Sequence, residues 1–236
     1  MYYLHSFCEW IQTNGQIPLL IDSMKRINPA TIFRASLIAM VTFHFFGVLG
    51  IWSSLKALFL CTTPFVLLLS TMCLFLNFEK VSKRLLSLFL ICAAIGYSAE
   101  VIGVQTGYLF GDYYYGENLG PKIVGVPLTI AINWASLCIA SASIMSRLHV
   151  SRPLRIVLAA LIPVAIDMMI EPLCSKLDFW HWTSGQIPVF NYVTWLGFSL
   201  IFCAIYMVSQ IELKNRFAKY YLLIQVTFFG LLNLLL

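Results

Sequence analysis

Long apolar stretches separated by short polar clusters set the pattern of this chain. A helix needs about twenty residues to cross the hydrocarbon core of a bilayer. None of the stretches alternates polar and apolar residues in the way that a membrane barrel strand would. The pattern therefore predicts an all-α, polytopic membrane helix bundle with about seven transmembrane helices. The predicted spans are 32–52, 57–78, 85–104, 126–145, 156–173, 189–210 and 220–236.

The remaining segments divide the chain into simple parts. Residues 1–30 are mixed in polarity and rich in aromatic residues, which predicts an N-terminal interfacial segment. Residues 31–236 show no internal repeat and are expected to form a single seven-helix domain. Two longer loops, 105–125 and 174–188, fall on the same predicted side of the membrane and are expected to cap a site there.

Charged residues are scarce and unevenly placed. They make up 11% of the chain, against roughly a quarter in soluble domains, which excludes a soluble enzyme and a nucleic-acid binder. Along the predicted loops the 15 basic residues alternate in groups of three and one. Cytoplasmic loops hold the excess of Lys and Arg, so we expect the N-terminus inside and the C-terminus outside. The larger groups are Lys25, Arg26 and Arg34; Lys80, Lys83 and Arg84; Arg147, Arg152 and Arg155; and Lys214, Arg216 and Lys219.

Four ionisable residues lie inside the predicted spans, where a charge is costly and usually marks function. They are His44, Glu100, Asp167 and Glu171. The predicted topology places all four toward the outer face, at the depth of two further polar residues, Asn133 and Asn191. Polar side chains from five helices therefore converge at one depth, which predicts a site. A packing role remains open for His44.

Asp167 and Glu171 are four residues apart and share one helix face. Two carboxyl groups this close in a dry environment cannot both ionise cheaply, so at least one is expected to carry a proton at neutral pH. Pro163 and Pro172 suggest that the helix is kinked near the pair. The alternative is a helix-end pair that faces the outer interface.

Aromatic residues are concentrated in the two longer loops. The first contains three consecutive tyrosines between glycines, and the second contains Trp180 and Trp182. Such residues are common at the headgroup level of membranes. If the loops fold over the polar site, they would instead form an aromatic lid whose ring faces could stabilise a cation.

The residue inventory argues against several membrane chemistries. Only four histidines occur, whereas a di-iron hydroxylase needs many. A retinal protein needs a lysine within its last span, and Lys219 lies at the edge of that span. An intramembrane prenyltransferase needs two acid-rich clusters, and the chain has one acidic pair. We therefore expect an acid site without a metal or other cofactor.

Residues 95–200 contain a series of short motifs. They are Glu100-x2-Gly103-x3-Gly107-x2-Phe110-Gly111-x-Tyr113-x-Tyr115, Leu119-Gly120, Gly125-Val126-Pro127, Trp134, Asp167-x3-Glu171-Pro172, Trp180-x-Trp182 and Ile187-Pro188-x2-Asn191-x3-Trp195. In this order and spacing, the motifs resemble those of the CruF-like carotenoid biosynthesis proteins, which are integral-membrane carotenoid hydratases. Two positions depart from the family pattern, because Gln186 and Thr194 stand where glycine is expected. Both flank the last outer loop, so they bear on the preferred end group of the substrate more than on the reaction.

The resemblance implies addition of water across the terminal double bond of an acyclic carotenoid, in a bacterial or archaeal cytoplasmic membrane. The partners would be the lipid bilayer, the carotenoid and water as co-substrate. We assign proton donation to Asp167 or Glu171, and Glu100 would orient or deprotonate the water, with Asn133 and Asn191 holding that water. The residues expected to contact substrate also include Tyr97, Tyr108, Phe110, Tyr113, Tyr115, Trp134, Trp182 and Trp195.

Two other functions fit parts of the sequence. A carotenoid or terpenoid cyclase would begin with the same protonation and capture the cation with an internal double bond. A small proton-coupled transporter could use Asp167 and Glu171 as a relay. Transporters commonly show internal repeats, which this sequence does not.

Overall fold

The computed structural model describes residues 28–236 as a bundle of helices. Residues 1–27 of the predicted interfacial segment lie outside the described part. Six of the described helices are long and apolar enough to cross a membrane, which confirms a polytopic helical bundle. The helices are α1 (Pro29–Trp52), α2 (Lys56–Leu60), α3 (Thr63–Leu76), α4 (Lys83–Thr106), α5 (Leu128–Met145), α6 (Arg152–Cys174), α7 (Val189–Val208) and α8 (Ala218–Leu235).

The second predicted span, 57–78, is not one continuous helix, so the expected seven full-length spans become six and a shorter helix. Helices α2 and α3 occupy this run, and α3 has 14 residues. Pro64 lies in the first turn of α3, where its missing N–H is tolerated. The hydroxyls of Thr62 and Thr63 donate to the carbonyl oxygens of Phe59 and Leu60, each at 2.7 Å. These bonds end α2 and start a new helix.

Residues 28–236, expected to be all-α, also contain four short strands: β1 (Tyr113–Tyr115), β2 (Lys122–Ile123), β3 (Val126–Pro127) and β4 (Trp180–Trp182). Strands β2 and β3 form a hairpin. Strand β1 pairs antiparallel with β4, with Tyr113 opposite Trp182 and Tyr115 opposite Trp180. Side chains alternate between the faces of a strand, so these four aromatic residues share one face of the ribbon. The two longer loops are therefore joined by backbone hydrogen bonds.

Helix α5 is the centre of the bundle and contacts α3, α4, α6, α7 and α8. Its buried face is rich in small residues, which let neighbouring helices approach closely without a hydrophobic driving force from water. These residues include Ala131, Ala135, Ser136, Ala140, Ser141, Ala142 and Ser143.

The two ends of the bundle differ in charge and structure. At one end, Phe78 and Asn215 form an isolated β-bridge, and Arg147 Nη2 donates to the Asn215 carbonyl oxygen at 2.9 Å. This contact joins three of the loops that carry three basic residues each; we call it the basic end. The β1–β4 ribbon lies at the other end, where Lys176 Nζ donates to the Leu236 carbonyl oxygen at 2.9 Å. The orientation of these ends across the membrane stays a prediction.

Candidate active site

Four polar side chains from three helices meet in the interior near the ribbon. Glu100 of α4 is 3% exposed, Asp167 and Glu171 of α6 are 6% and 3% exposed, and Asn191 of α7 is 3% exposed. Asn191 Nδ2 donates to Glu171 Oε1 at 2.9 Å and lies 3.5 Å from Asp167 Oδ2. The four-residue spacing on α6 therefore places both carboxyl groups against one amide of the neighbouring helix.

The ribbon supplies the other hydrogen-bond donors of these carboxyl groups. Trp182 Nε1 donates to Glu171 Oε2 at 2.8 Å, and Trp180 Nε1 donates to the same oxygen at 3.3 Å. The Tyr113 hydroxyl donates to Glu100 Oε2. All three donors come from the ribbon face that the strand register creates. The pairing of two distant loops thus determines how Glu100 and Glu171 are bound.

Two tyrosines of β1, Tyr113 and Tyr115, remain protonated donors. Burial raises the pKa of Tyr113, and the charge of Glu100 raises it further. The pKa of Tyr115 is also raised, first by burial and then by Glu100. Both phenols are therefore neutral at physiological pH and can donate to an anionic partner.

The carboxyl groups line a small polar cavity, which we call the chamber, of about 30 Å³. Trp134 and Trp195 form one wall, with ring centroids 3.6 Å apart and planes 9° apart. A cavity needs roughly 10–15 Å³ of space to hold one water, so the chamber is large enough for a water molecule. Its lining residues are Glu100, Tyr113, Tyr115, Ile130, Trp134, Asp167, Glu171, Trp180, Trp182, Asn191 and Trp195.

A larger cavity of about 570 Å³ adjoins the chamber. Its walls come mostly from apolar residues of α1, α3, α5, α6 and α8. Ile130, Trp134, Asp167 and Trp180 line both spaces, so they form the boundary between them. An apolar chain in the larger cavity could therefore reach Asp167 at the edge of a polar, water-sized space.

The structure brings most of the predicted site residues to these two spaces. Asn133 lines the larger cavity. His44 also lines it, and its Nδ1 lies 2.8 Å from the Met40 carbonyl oxygen, one turn earlier on α1. The catalytic candidates and the six residues Tyr113, Tyr115, Trp134, Trp182, Asn191 and Trp195 line the chamber.

Three predicted contact residues lie elsewhere. The Tyr97 hydroxyl donates to the Ile123 carbonyl oxygen at 2.6 Å, which ties α4 to β2. Tyr108 is 82% exposed. Phe110 is buried and stacks on Trp195 with ring centroids 4.8 Å apart, so it supports the chamber wall from behind.

Trp180 was expected in the aromatic lid but not among the residues that contact substrate, although it donates to Glu171 and borders both cavities. The two-residue spacing of Trp180 and Trp182 was the available signal, because it puts both rings on one strand face. The contributions of α1, α3 and α8 to the larger cavity were also missed. Within residues 28–236, no group of three or more His, Cys, Asp or Glu residues could hold a metal ion.

The family model for carotenoid biosynthesis proteins matches residues 57–236, well over half of the chain and every element that lines the chamber. The chain belongs to the carotenoid biosynthesis protein family. The resemblance drawn from the sequence motifs is thus confirmed at the level of the family. The match begins after α1, so that helix lies outside it.

One curated relative is the bisanhydrobacterioruberin hydratase of Haloarcula japonica, which is 25% identical over 127 residues. The aligned region covers 50% of this chain and 43% of the relative, less than half of that protein's length. No solved structure matches the chain. Membership of the family and the name of this relative point to an enzyme of carotenoid biosynthesis.

Proposed function

We propose that this family member is a carotenoid hydratase, which adds water to the terminal double bond of an acyclic carotenoid and forms a tertiary alcohol. The observation that carries the proposal is the chamber, where three buried carboxyl groups surround a water-sized space beside a large apolar cavity. The named activity of the Haloarcula japonica relative supports the same reaction class.

The hydrogen bonds favour Asp167 as the proton donor. Glu171 accepts from Trp180, Trp182 and Asn191, and such donors stabilise the ionised form of a carboxyl group. Among residues 28–236, the Asp167 carboxyl group has only Asn191 as a partner, at 3.5 Å, and it borders the apolar cavity. Burial disfavours the ionised form of a carboxyl group, so Asp167 is the better candidate to hold a proton against a hydrocarbon.

In the first step, the π electrons of the terminal double bond take the Asp167 proton at the less substituted carbon. A C–H bond forms, and the other carbon becomes a tertiary cation. Trp134 and Trp180 border both cavities, so their indole rings lie close to where the cation forms and can stabilise it. The Glu171 carboxylate lies four residues from the ionised Asp167 and adds a fixed negative charge.

In the second step, a water in the chamber attacks the cation, and a C–O bond forms. Glu100 accepts the proton that the water loses, while the Tyr113 hydroxyl holds this carboxylate in place. The proton then returns from Glu100 to Asp167 through the chamber. The net change is the addition of one water, and the protein ends as it began, so the reaction balances without a cofactor.

The direct test replaces each acid by its amide and measures the product in a host that makes acyclic carotenoids. We expect Asp167→Asn, Glu171→Gln and Glu100→Gln each to lose about 10²–10⁴-fold in rate, the usual contribution of general acid or base catalysis. Glu117→Gln is the matched control, because the Glu117 side chain is 83% exposed and lies outside the chamber. Full turnover in all three chamber variants would reject the mechanism.

The mass of the product distinguishes hydration from cyclisation. A hydratase adds the mass of one water to the carotenoid, whereas a cyclase gives an isomer of unchanged mass. The water-sized chamber beside Asp167 supports hydration. An isomeric product, or pigments that do not change at all, would overturn the proposed activity.

A further inference from the structure

A third cavity, of about 280 Å³, lies at the basic end of the bundle, away from the chamber. It lies between the start of α6, the end of α7 and the segment that follows α7. Nothing in the proposed reaction uses it. Its lining residues are Ser146, Arg152, Arg155, Tyr206, Met207, Ile211, Glu212, Leu213 and Lys214.

The positive charges of this cavity are only partly compensated. Lys214 Nζ lies 3.4 Å from Glu212 Oε1 and 3.7 Å from Glu79 Oε2, so this lysine has two carboxylate partners. Within residues 28–236, neither Arg152 nor Arg155 forms an ion pair with a carboxylate. Among residues 28–236, two guanidinium groups at this cavity therefore have no carboxylate partner.

Arg155 is held beside this cavity by a backbone contact. Its Nη1 donates to the Ser146 carbonyl oxygen at 3.0 Å, and its buried Nε has no hydrogen-bond partner among residues 28–236. A buried N–H that makes no hydrogen bond is unfavourable, and a guanidinium group is suited to bind phosphate oxygens through two parallel N–H groups. A phosphate in the cavity would thus meet a guanidinium group that the Ser146 carbonyl already holds in place.

The backbone adds to the preference for an anion. Helix α6 begins at Arg152, and its N-cap residue Ser151 makes no side-chain capping bond. The free N–H groups and the dipole of a helix N-terminus favour negative charge. Together with the two arginines, this makes the cavity electropositive.

Apolar residues complete the cavity and distinguish it from a site for a free ion. Met207, Ile211 and Leu213 line it beside the arginines. Leu154 and Val208, which flank the same helix ends, are 45% and 54% exposed in the bundle, as expected for residues that face lipid. A ligand with a phosphate group and an attached apolar chain would satisfy both parts of the lining.

We propose that this cavity binds the headgroup of an anionic membrane phospholipid, with the phosphate on Arg152 and Arg155 and the start of an acyl chain on Met207 and Ile211. Basic pockets between helices at one membrane face are suited to such headgroups. This binding site is separate from the chamber and does not depend on the proposed reaction.

Thermal unfolding of the purified full-length protein in detergent tests the proposal with three probes. They are a short-chain phosphatidylglycerol, a phosphatidylcholine with the same chains, and inorganic phosphate. At a hundredfold excess over Kd we expect phosphatidylglycerol to raise Tm by roughly 5–10 °C. We expect phosphatidylcholine and inorganic phosphate to raise it far less.

Variants of the arginines test whether the rise in Tm with phosphatidylglycerol comes from binding in this cavity. Arg155→Gln and Arg152→Gln should each lose most of the phosphatidylglycerol shift, and native mass spectrometry should show less bound lipid. Arg84→Gln is the matched control, since Arg84 is exposed, belongs to another loop of the basic end and does not line the cavity. If Arg155→Gln does not fold, Arg152→Gln still tests the site, because Arg152 is exposed at the first turn of α6.

Three results would overturn the proposal. Equal shifts with both lipids would mean that acyl chains alone bind. A shift with inorganic phosphate as large as that with phosphatidylglycerol would mean a free-anion site. An undiminished phosphatidylglycerol shift in both arginine variants would place the lipid elsewhere.

Discussion

Glu171 and Asp167 lie one helical turn apart and differ in their hydrogen-bond partners. Trp180, Trp182 and Asn191 donate to Glu171, and the Cys174 thiol lies 3.7 Å from its Oε2. Within the described part of the chain, Asp167 has one weak partner, Asn191 at 3.5 Å. Because hydrogen-bond donors stabilise a carboxylate, the two acids of a single helix face are suited to opposite roles, one as an anion and one as an acid.

The two tryptophans allow this difference to be tested. Trp182→Phe keeps an aromatic ring but removes the 2.8 Å hydrogen bond to Glu171. A hydrogen bond to a charged group contributes about 1.5–3 kcal/mol, so we expect the hydration rate to fall by roughly 10–150-fold.

Trp180→Phe is the matched comparison, since its bond to the same oxygen is longer, at 3.3 Å. We expect a smaller loss, measured as product per unit of protein in the same carotenoid-producing host. Equal activity of Trp182→Phe and the unmodified protein would show that the anionic state of Glu171 does not need this donor.

At the scale of single residues, helix spacing and depth were enough to predict the convergence of Glu100, Asp167, Glu171 and Asn191. Helix spacing and depth were not enough to predict which aromatic residues of the loops line the chamber. Tyr108 and Tyr113 belong to the same loop, yet Tyr108 is 82% exposed and Tyr113 is 8% exposed. The difference comes from the pairing of β1 with β4, and no local pattern reveals a partner strand more than sixty residues away.

At the scale of elements, the approach of α4 to the ribbon depends on Gly103. A Cβ at this position would clash with the Phe110 ring and lie 3.1 Å from the Tyr113 hydroxyl oxygen. Any side chain here would push apart the two residues that support the Trp195 wall and bind Glu100.

We therefore expect Gly103→Ala to lower the free energy of unfolding by about 1–3 kcal/mol, the usual cost of overpacking, and to reduce hydration. Gly197→Ala on α7 is the control, because no heavy atom lies within 4 Å of its added Cβ. That variant should be neutral or more stable by up to about 1 kcal/mol. Thermal melts in detergent and product yield measure both effects. Identical behaviour of the two variants would contradict the packing argument.

The junction between the two loops is held by Asp178. Its Oδ2 accepts the Glu117 backbone N–H at 2.9 Å, and its Oδ1 lies 2.8 Å from His181 Nε2. The Glu117 N–H and then His181 hold the pKa of Asp178 below its ordinary value. Since the ionised form makes these bonds, their stabilising effect is complete above about pH 4, the ordinary aspartate pKa, and is lost as the pH falls through the lower folded pKa.

Hydrogen exchange of the ribbon amides can follow this transition. We expect protection of Tyr113–Tyr115 to be constant from neutral pH down to about pH 4 and to fall below it. Asp178→Asn should show lower protection already at neutral pH and no further loss on acidification. Glu117→Gln, which keeps the backbone donor, should behave like the unmodified protein. An Asp178→Asn profile that matches the unmodified protein would rule out this role.

The sequence predicted most helices of the bundle but not its cavities, for a physical reason. Lipid and a cavity for an apolar chain favour the same side chains, so Phe43 and Phe228 at the larger cavity look like lipid-facing residues in the sequence. The break between α2 and α3 was hidden in the same way, since Pro64 and its threonine neighbours interrupt the helix without interrupting the apolar run.

At the scale of the whole molecule, the loops that carry most of the basic residues and the chamber lie at opposite ends of the helix bundle. Three loops with three basic residues each meet at the basic end, and the positive-inside rule predicts that this end faces the cytoplasm. The chamber and the C-terminus would then lie near the outer face.

Fusions to the C-terminus test this orientation in cells. Alkaline phosphatase is active only outside the cytoplasm, so the phosphatase fusion should be active and a fusion to green fluorescent protein should be dark. The reverse result would place the C-terminus and the chamber on the cytoplasmic side, and the reaction would then occur in the other leaflet.

The shared wall of Ile130, Trp134, Asp167 and Trp180 also has a consequence for turnover. If one end of the substrate reaches the carboxyl groups through this wall, only that end can be hydrated in each binding event. A symmetrical carotenoid would have to dissociate, diffuse in the membrane and bind again in the opposite orientation before its second end could react. The carotenoid hydrated at one end would then be an obligatory free intermediate, and other enzymes in the membrane could use it as a substrate.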